Sequence, residues 1–417
     1  MGQANSTVSY RLKSLLDTDL YKFTMQQAVR QHFPDAEGVY RFIHRDKDVF
    51  FSRACVEAFE RSLIGFKDVS LTSGEKAWLA TKCPYLKSDY LDYLERYRFK
   101  PDQVSIKFMP VSDDGQYGNI EIEAKGLWMD TILWEVPMMA CLSELYFRID
   151  RKDWTYHRQE EIAQQKAEAL LQAGCTFSEF GTRRRRSYHT QDLVISSILK
   201  ATAKLPGKGK VVGTSNVHFA KKYNLTPVGT IAHEWFMGIA AMEGYDNANT
   251  RALQLWEQTY PNVLLTALTD TFSTQVFFKE FTQDRDRACR WPSLRQDSGD
   301  PLAFAPAAKA MYESIGIDWR TKSIVYSDAL TLDKALALKK QCDDLGFICS
   351  FGIGTFLTND FQTKSSGYKE KSRALNMVIK LKSINGKPCV KISDDLEKNT
   401  GDPATIEYVK RKYGLAT

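Results

Sequence analysis

From about residue 150 the chain alternates short apolar runs with longer stretches whose apolar positions recur at helical spacing. The runs at 175–180, 210–214, 226–230, 262–268, 293–297, 323–328 and 347–352 have the composition and length of strands. Segments such as 220–223, 234–242, 301–314 and 332–345 read as helices between them. Asp300 ahead of Pro301 makes a cap followed by proline at the first helical position, and Gly346 stands where the 332–345 segment stops. A strand and helix repeated about seven times predicts parallel strands with crossover helices. The expected fold class is α/β, an irregular TIM-like barrel ahead of an open sheet, although the pattern fits either.

The flanks read differently. Residues 14–125 mix helices, including one over 17–33, with strand-like "GVYRFIHR", "QVSIKFMP" and "NIEIEAKG". Residues 375–393 read as a hairpin turning at Asn385-Gly386. The two ends together are expected to make a second, α+β domain. The most apolar stretch, 126–147, is broken by Asp130, Glu135, Pro137 and Glu144. Each charge is expensive in a bilayer, so it predicts a buried strand and helix rather than a membrane span.

Composition narrows the function classes. The chain has 417 residues, 43% hydrophobic, with 57 basic against 51 acidic side chains and a net charge of +6. That is mild for the size and makes no general case for nucleic acid or membrane, while small anionic substrates stay compatible. Eight cysteines show no CxxC pair and read as core residues of a reducing compartment. The start "MGQANSTVSY" lacks the apolar stretch of a signal peptide, so a cytoplasmic location is expected. Gly2 and Ser6 match the loose myristoylation pattern, with no polybasic second signal; a flexible start is the plainer reading.

In barrel enzymes the reacting groups sit at the C-terminal ends of strands. Every expected strand here ends in polar or glycine-rich sequence: Glu179–Arg183, Gly213–Asn216, Gly229–Thr230 with His233, Thr269–Thr271, Arg295–Asp300, Ser327–Asp328 and Gly352–Thr355. The run Arg183–Arg186 suits a solvated helix start or a basic patch as well as phosphate and carboxylate grips, and the two readings balance. "FGIGT" would let backbone N–H groups approach a phosphate. In "RQDSGDP", Asp300 is the cap, which leaves Arg295 and Asp297 for chemistry. His233 is by default a structural residue at a helix start. HExxH fails at Met237, and neither GxSxG nor GxxxxGK[ST] occurs. A lone histidine on a phosphate-rich rim can still take a phosphoryl group on its ring. Glu234 is not placed to orient it, since adjacent helical residues diverge.

The segments "SLLDTDLYKFTMQQAV", "EFGTRRRRS", "GTSNVHFAKKY", "GTIAHEW", "ALTDTF", "RQDSGDP", "YSDAL", "FGIGTFLTND", "LNMVIKL" and "KISDD", in this order over residues 14–405, resemble the nicotinate phosphoribosyltransferase family. The resemblance implies a type II phosphoribosyltransferase fold: a barrel over 131–374 and an α/β sandwich-like domain from 10–130 with 375–417. It also implies an ATP-coupled reaction of nicotinate with phosphoribosyl pyrophosphate, giving nicotinate mononucleotide and pyrophosphate, with Mg²⁺ on the leaving group and His233 as a phosphohistidine. Asp297 and Asp270 would contact ribose or metal, with Asp328 a further candidate. Gly352, Gly354 and Thr355 would hold the 5-phosphate. Phe180 and Tyr21 would sandwich the pyridine, with Arg183, Thr230 and Arg295 lining the site. Ser215, where the related nicotinamide enzyme carries an aspartate, favours the acid as substrate. In relatives the tyrosine at the Tyr21 position can come from a second subunit, which implies a homodimer with a shared active site. The rivals are a quinolinate- or nicotinamide-type phosphoribosyltransferase and, in another class, a nucleic-acid-binding protein using Arg183–Arg186.

Overall fold

The computed structural model describes residues 8–395 and 399–416. Its strands run in chain order as β1 (Glu37–His44), β2 (Phe51–Ser52), β3 (Val104–Pro110), β4 (Tyr117–Leu127), β5 (Thr176–Glu179), β6 (Lys210–Thr214), β7 (Thr226–Pro227), β8 (Thr266–Leu268), β9 (Ser293–Gln296), β10 (Ser323–Tyr326), β11 (Ile348–Ile353), β12 (Phe361–Gln362), β13 (Lys371–Ser372), β14 (Met377–Ile384) and β15 (Lys387–Pro388). The seven strands β5 to β11 are all parallel, in the order β7-β6-β5-β11-β10-β9-β8. Each expected run from 175 onward thus contains a strand. The helices Pro301–Ser314 and Leu332–Leu345 have the expected bounds, the first capped by Asp300 and the second ended by Gly346 at φ 85.

The sheet does not close into a barrel: β7 and β8 stand at its two ends and do not pair with each other. Both are short. β7 spans only Thr226–Pro227, and on its outer edge Pro227 offers no N–H to a further strand, while Val228 N still donates to Thr214 O of β6 at 2.9 Å. The run 262–268 yields a strand only at 266–268, because Asn262 and Leu264 adopt positive φ of 62° and 56°. The sheet curls all the same. The chain leaving β7 reaches β9, second from the opposite edge, where Arg295 Nη1 donates to the Ile231 carbonyl at 3.2 Å.

The second sheet joins the two ends of the chain in the order β15-β14-β1-β4-β2, with β3 on β4. Asn385 and Gly386, at φ 48° and 73°, make the turn between β14 and β15. The hairpin is shorter than its sequence suggested. Past Cys389, whose N donates to Lys382 O at 2.9 Å, the chain leaves this sheet and bridges Ile392 to Phe272, beyond β8, with Ile392 N donating to Thr271 O at 2.8 Å. The final helix, Pro403–Tyr413, likewise lies against the parallel-sheet side, where Tyr413 OH donates to Tyr245 O at 2.7 Å.

Packing fixes the helix that begins at His233. Helix His233–Glu243 buries Trp235, Phe236 and Ile239, and at Gly238 an added Cβ would meet the Trp128 ring at 2.5 Å. The 126–147 stretch is buried as end of strand and helix, the latter Glu135–Ile149. No helix among the described residues is long and apolar enough to cross a membrane. The cysteines are free, all buried except Cys289. The Gly2–Ser6 pattern lies outside the described residues.

The N-terminal segment is tied to the strand ends by an ion pair that is fully buried on both sides. Arg185 grips both Asp17 oxygens at 2.8 Å, and Asn216 adds a third bond at 2.8 Å. Burial alone would raise the Asp17 carboxyl, but Arg185 and Asn216 outweigh it and the net shift is downward. Its stabilisation is therefore complete above the unfolded carboxylate pKa of about 3.9 and is lost as pH falls through the lower folded value. Asp17→Asn, which leaves Arg185 buried without its counter-charge, is expected to cost about 3–5 kcal/mol in urea unfolding at neutral pH. Its stability should also decline less steeply than that of the native chain on acidification.

Candidate active site

A cavity opens over the C-terminal ends of the parallel strands. Its walls are Phe180 and Gly181 after β5, Ser215 after β6, Thr230 after β7, Arg295 and Asp297 around the end of β9, and Gly352, Gly354 and Thr355 around the end of β11. Asp19 and Tyr21, at the start of helix Leu20–His32, close it from the N-terminal side. Tyr21 thus lines the pocket of its own chain. Phe180 N donates to Ile353 O at 2.8 Å, and its ring lies so close over Gly352 that a Cβ there would meet it at 2.4 Å. Gly352 is therefore required by the aromatic wall, whatever else binds nearby.

The arginine run divides into two pairs. Arg183 and Arg184 line the cavity, whereas Arg185 and Arg186 are wholly buried. Arg186 donates to Ser372 and lies 3.5 Å from the centroid of the Phe147 ring. Two of the four guanidinium groups are inaccessible, which overturns the basic-patch reading of the run. Arg183 Nη1 pairs with Glu135 Oε1 at 3.2 Å. Glu135 also meets Lys22 at 2.5 Å, and Lys22 reaches Glu234 at 2.9 Å. As its helical position dictated, Glu234 turns away from its neighbour His233 and into this buried network.

His233 sits in a recess beside the cavity, sharing Tyr21 and Arg183 with it. Its Nδ1 faces Thr271 Oγ1 at 3.0 Å; its Nε2 lies 3.1 Å from Asp297 Oδ2 and 3.1 Å from Lys391 Nζ. The side chain is 19% exposed, which leaves an edge open to a reagent. Burial and then Lys391 hold the imidazole below its usual pKa, against Asp270 and Asp297, so the ring is neutral at physiological pH. Burial alone would raise the Asp297 carboxyl, but Arg295, His233 and Lys391 hold it well below the usual carboxylate range. Arg295 Nη2 meets Asp297 Oδ1 at 3.1 Å, and Ser327 Oγ donates to the same oxygen at 2.6 Å. Lys380 lines the same recess, pushed down to about 7 by burial and by Lys391.

Two candidates stand apart from the cavity wall. Asp270 is fully buried beneath His233, accepting from Ser298 and pairing with Lys391 at 3.0 Å, with its Oδ1 lacking a hydrogen-bond partner. Asp328 does not line the cavity, although its charge is felt by Arg184. Reading along the sequence misses Asp19, Lys22, Glu135 and Lys391 as site residues, whereas Thr271 stands in the strand end 269–271 that it does point to. All four belong to segments outside the parallel-sheet rhythm, and the charges inside the apolar 126–147 stretch are the one available signal for Glu135.

Two family descriptions match the chain: the nicotinate phosphoribosyltransferase N-terminal domain over residues 16–143 and the nicotinate phosphoribosyltransferase family over residues 175–417. A nicotinate phosphoribosyltransferase of Methanosarcina mazei is 43% identical, over 97% of this chain and 99% of its own. That of Saccharomyces cerevisiae is 40% identical, over 97% and 95%. A Saccharomyces cerevisiae crystal structure superposes with a TM-score of 0.94 at 38% identity, covering 98% of this chain and 100% of its own. The nicotinate phosphoribosyltransferase of Porphyromonas gingivalis gives 0.87 at 37% identity, covering 97% and 100%. With its cavity ringed by aromatic, cationic and glycine positions and a neutral histidine at the rim, the chain belongs to the nicotinate phosphoribosyltransferase family of enzymes.

Proposed function

We infer that the protein joins nicotinate to the phosphoribosyl group of 5-phosphoribosyl 1-pyrophosphate and couples this to ATP through a phosphohistidine at His233. The bond from ribose C1 to the pyrophosphate oxygen breaks, a bond from C1 to the pyridine nitrogen forms, and pyrophosphate leaves. The observation that carries the reading is the placement of His233: a neutral ring between an anion, Asp297, and a cation, Lys391, at the edge of a cavity with an aromatic wall.

Each residue has a chemical task in this scheme. Phe180 and Tyr21 offer flat faces to the pyridine, and Arg183 and Arg295 offer charge to its carboxylate. Asp297, held ionised, stabilises the positive charge that develops on the ribose as the leaving group departs. Gly354 and Thr355 line the end that the 5-phosphate would occupy. For ATP turnover an imidazole nitrogen lone pair attacks the terminal phosphorus and ADP leaves; water then takes the phosphoryl group from the ring as inorganic phosphate and frees the imidazole. Lys391 supplies positive charge beside the added phosphoryl group, and Lys380, pushed down to about 7, takes up a proton as that group arrives. Among the described residues no group of three metal-binding side chains is present. That donor set suits a Mg²⁺ that takes most of its ligands from phosphate and water, with Asp297 as the protein's carboxylate beside it and charge neutralisation of pyrophosphate as its contribution.

His233→Ala is expected to abolish ATP turnover while slow, ATP-independent transfer survives, measured as ADP and nicotinate mononucleotide formation; full retention of the ATP effect would refute the phosphohistidine. Pyrophosphate release should be faster with nicotinate than with nicotinamide as acceptor, and the opposite order removes the acid as substrate. Because Lys391 lowers the imidazole pKa, Lys391→Met should raise the His233 midpoint followed by NMR. An unchanged midpoint would mean that the cation does not act on the ring.

A further inference from the structure

Asp19 occupies the N-cap of helix Leu20–His32, yet its side chain accepts no hydrogen bond from that helix. An aspartate at this position ordinarily bonds the free N–H groups of the first turn. Here the carboxyl, 2% exposed, is turned to the cavity wall, where Ser215 Oγ stands 2.8 Å from its Oδ1. Both residues line the cavity alongside Phe180, Arg183 and Arg295. Backbone pairing sets the register, since Asp19 bridges to Asn216 and Leu20 N donates to Ser215 O at 2.8 Å.

A hydroxyl has one hydrogen to give. When Asp19 is ionised it only accepts, so Ser215 spends its hydrogen on Asp19 and turns lone pairs to the cavity. That lip repels a ligand carboxylate and accepts from an amide. When Asp19 carries a proton the bond reverses: Asp19 donates to Ser215 Oγ, and the Ser215 hydrogen is free to bond a carboxylate. We propose that Asp19 is a specificity-determining residue whose proton sets the direction of the Asp19–Ser215 hydrogen bond, so that a pyridine carboxylate binds with uptake of one proton and a pyridine amide with none. The proposal rests on the nicotinate reading above. The proton comes from solvent on binding and returns on release, and no bond within the ligand changes.

The surroundings favour this. Burial raises the Asp19 carboxyl above its usual range, helped by Glu135 and opposed by Thr182, Arg183 and Ser215. The other titratable groups that face it are Tyr21 on its own helix and Glu179 on β5. Glu179 is also buried and raised, but it is bonded by Thr214 at 2.6 Å and Gln191 at 2.9 Å and does not line the cavity. It can hold a proton without touching the ligand.

The test uses the full chain from about pH 6 to 9. It reads kcat/KM for nicotinate, the inhibition constant of nicotinamide, and proton uptake on nicotinate binding, the last from calorimetry in buffers of different ionisation enthalpy. In the native protein nicotinate kcat/KM should fall about tenfold per pH unit above the Asp19 midpoint, the slope of one proton, while nicotinamide inhibition does not weaken. Asp19→Asn, whose amide can donate to Ser215 at every pH, should flatten that fall and abolish the proton uptake. Asp19→Ala, which has no carboxyl to titrate and leaves the Ser215 hydrogen free, should flatten it too, and serves if Asp19→Asn fails to fold. Either folded variant retaining the native slope and uptake overturns the proposal and moves the proton to a group such as Glu179. A native protein inert toward nicotinate sinks the functional reading and this proposal with it, whereas native turnover with a slope shared by the variants sinks this proposal alone.

Discussion

The site depends on one buried contact, the pairing of the Arg185 guanidinium with both oxygens of Asp17. It anchors a segment from the start of the chain against the loops after β5 and β6. The backbone bonds that follow, from Val217 N to Thr18 O and from Leu20 N to Ser215 O, then leave Asp19 and Tyr21 facing the strand ends. Without that anchor the cavity has aromatic, cationic and glycine walls from the parallel sheet but no cover. A fully desolvated ion pair is weak as a source of stability and strong as a selector of one arrangement, because any misplaced alternative strands a charge in the interior.

From that anchor the charged groups fall into two connected sets. One runs from Arg183 through Glu135 and Lys22 to Glu234 and is closed to solvent over most of its length. The other joins Arg295, Asp297, His233, Lys391 and Asp270 and borders open space. They touch the same helix at adjacent residues, Glu234 and His233, one on each side. The helix is packed closely at its middle, where a Cβ at Gly238 would meet the Trp128 ring at 2.5 Å, so a shift of the element that carries the imidazole would have to displace that indole.

Much of this was legible in the sequence where structure follows local pattern. The seven parallel strands, the helices from Pro301 and Leu332, and the polar strand ends follow from period, caps and turn residues. The failure to close the sheet does not, because it goes with Pro227, which leaves the outer edge of β7 without a donor, and with two positive-φ residues near 263 that trim β8. Four arginines in a row cannot be told apart by composition, while in space two bind the interior and two face the cavity. Asp19 and Lys391 escaped for a different reason. Each reaches the site through contacts between segments roughly 120 to 200 residues apart, at Asp270 and Ser215, and such pairings leave no mark in a local window.

The crossover after β15 shows how a short stretch of chain can join distant parts of a site. Cys389 N still donates to Lys382 O at 2.9 Å, and soon after it Ile392 N donates to Thr271 O at 2.8 Å. Lys391 lies inside that switch between sheets, held on its other edge by paired backbone bonds with Thr400. Its ammonium group therefore comes to the imidazole from the hairpin side and not from the parallel strands, so a slip in the register of β14 on β1 becomes a change of charge beside the ring.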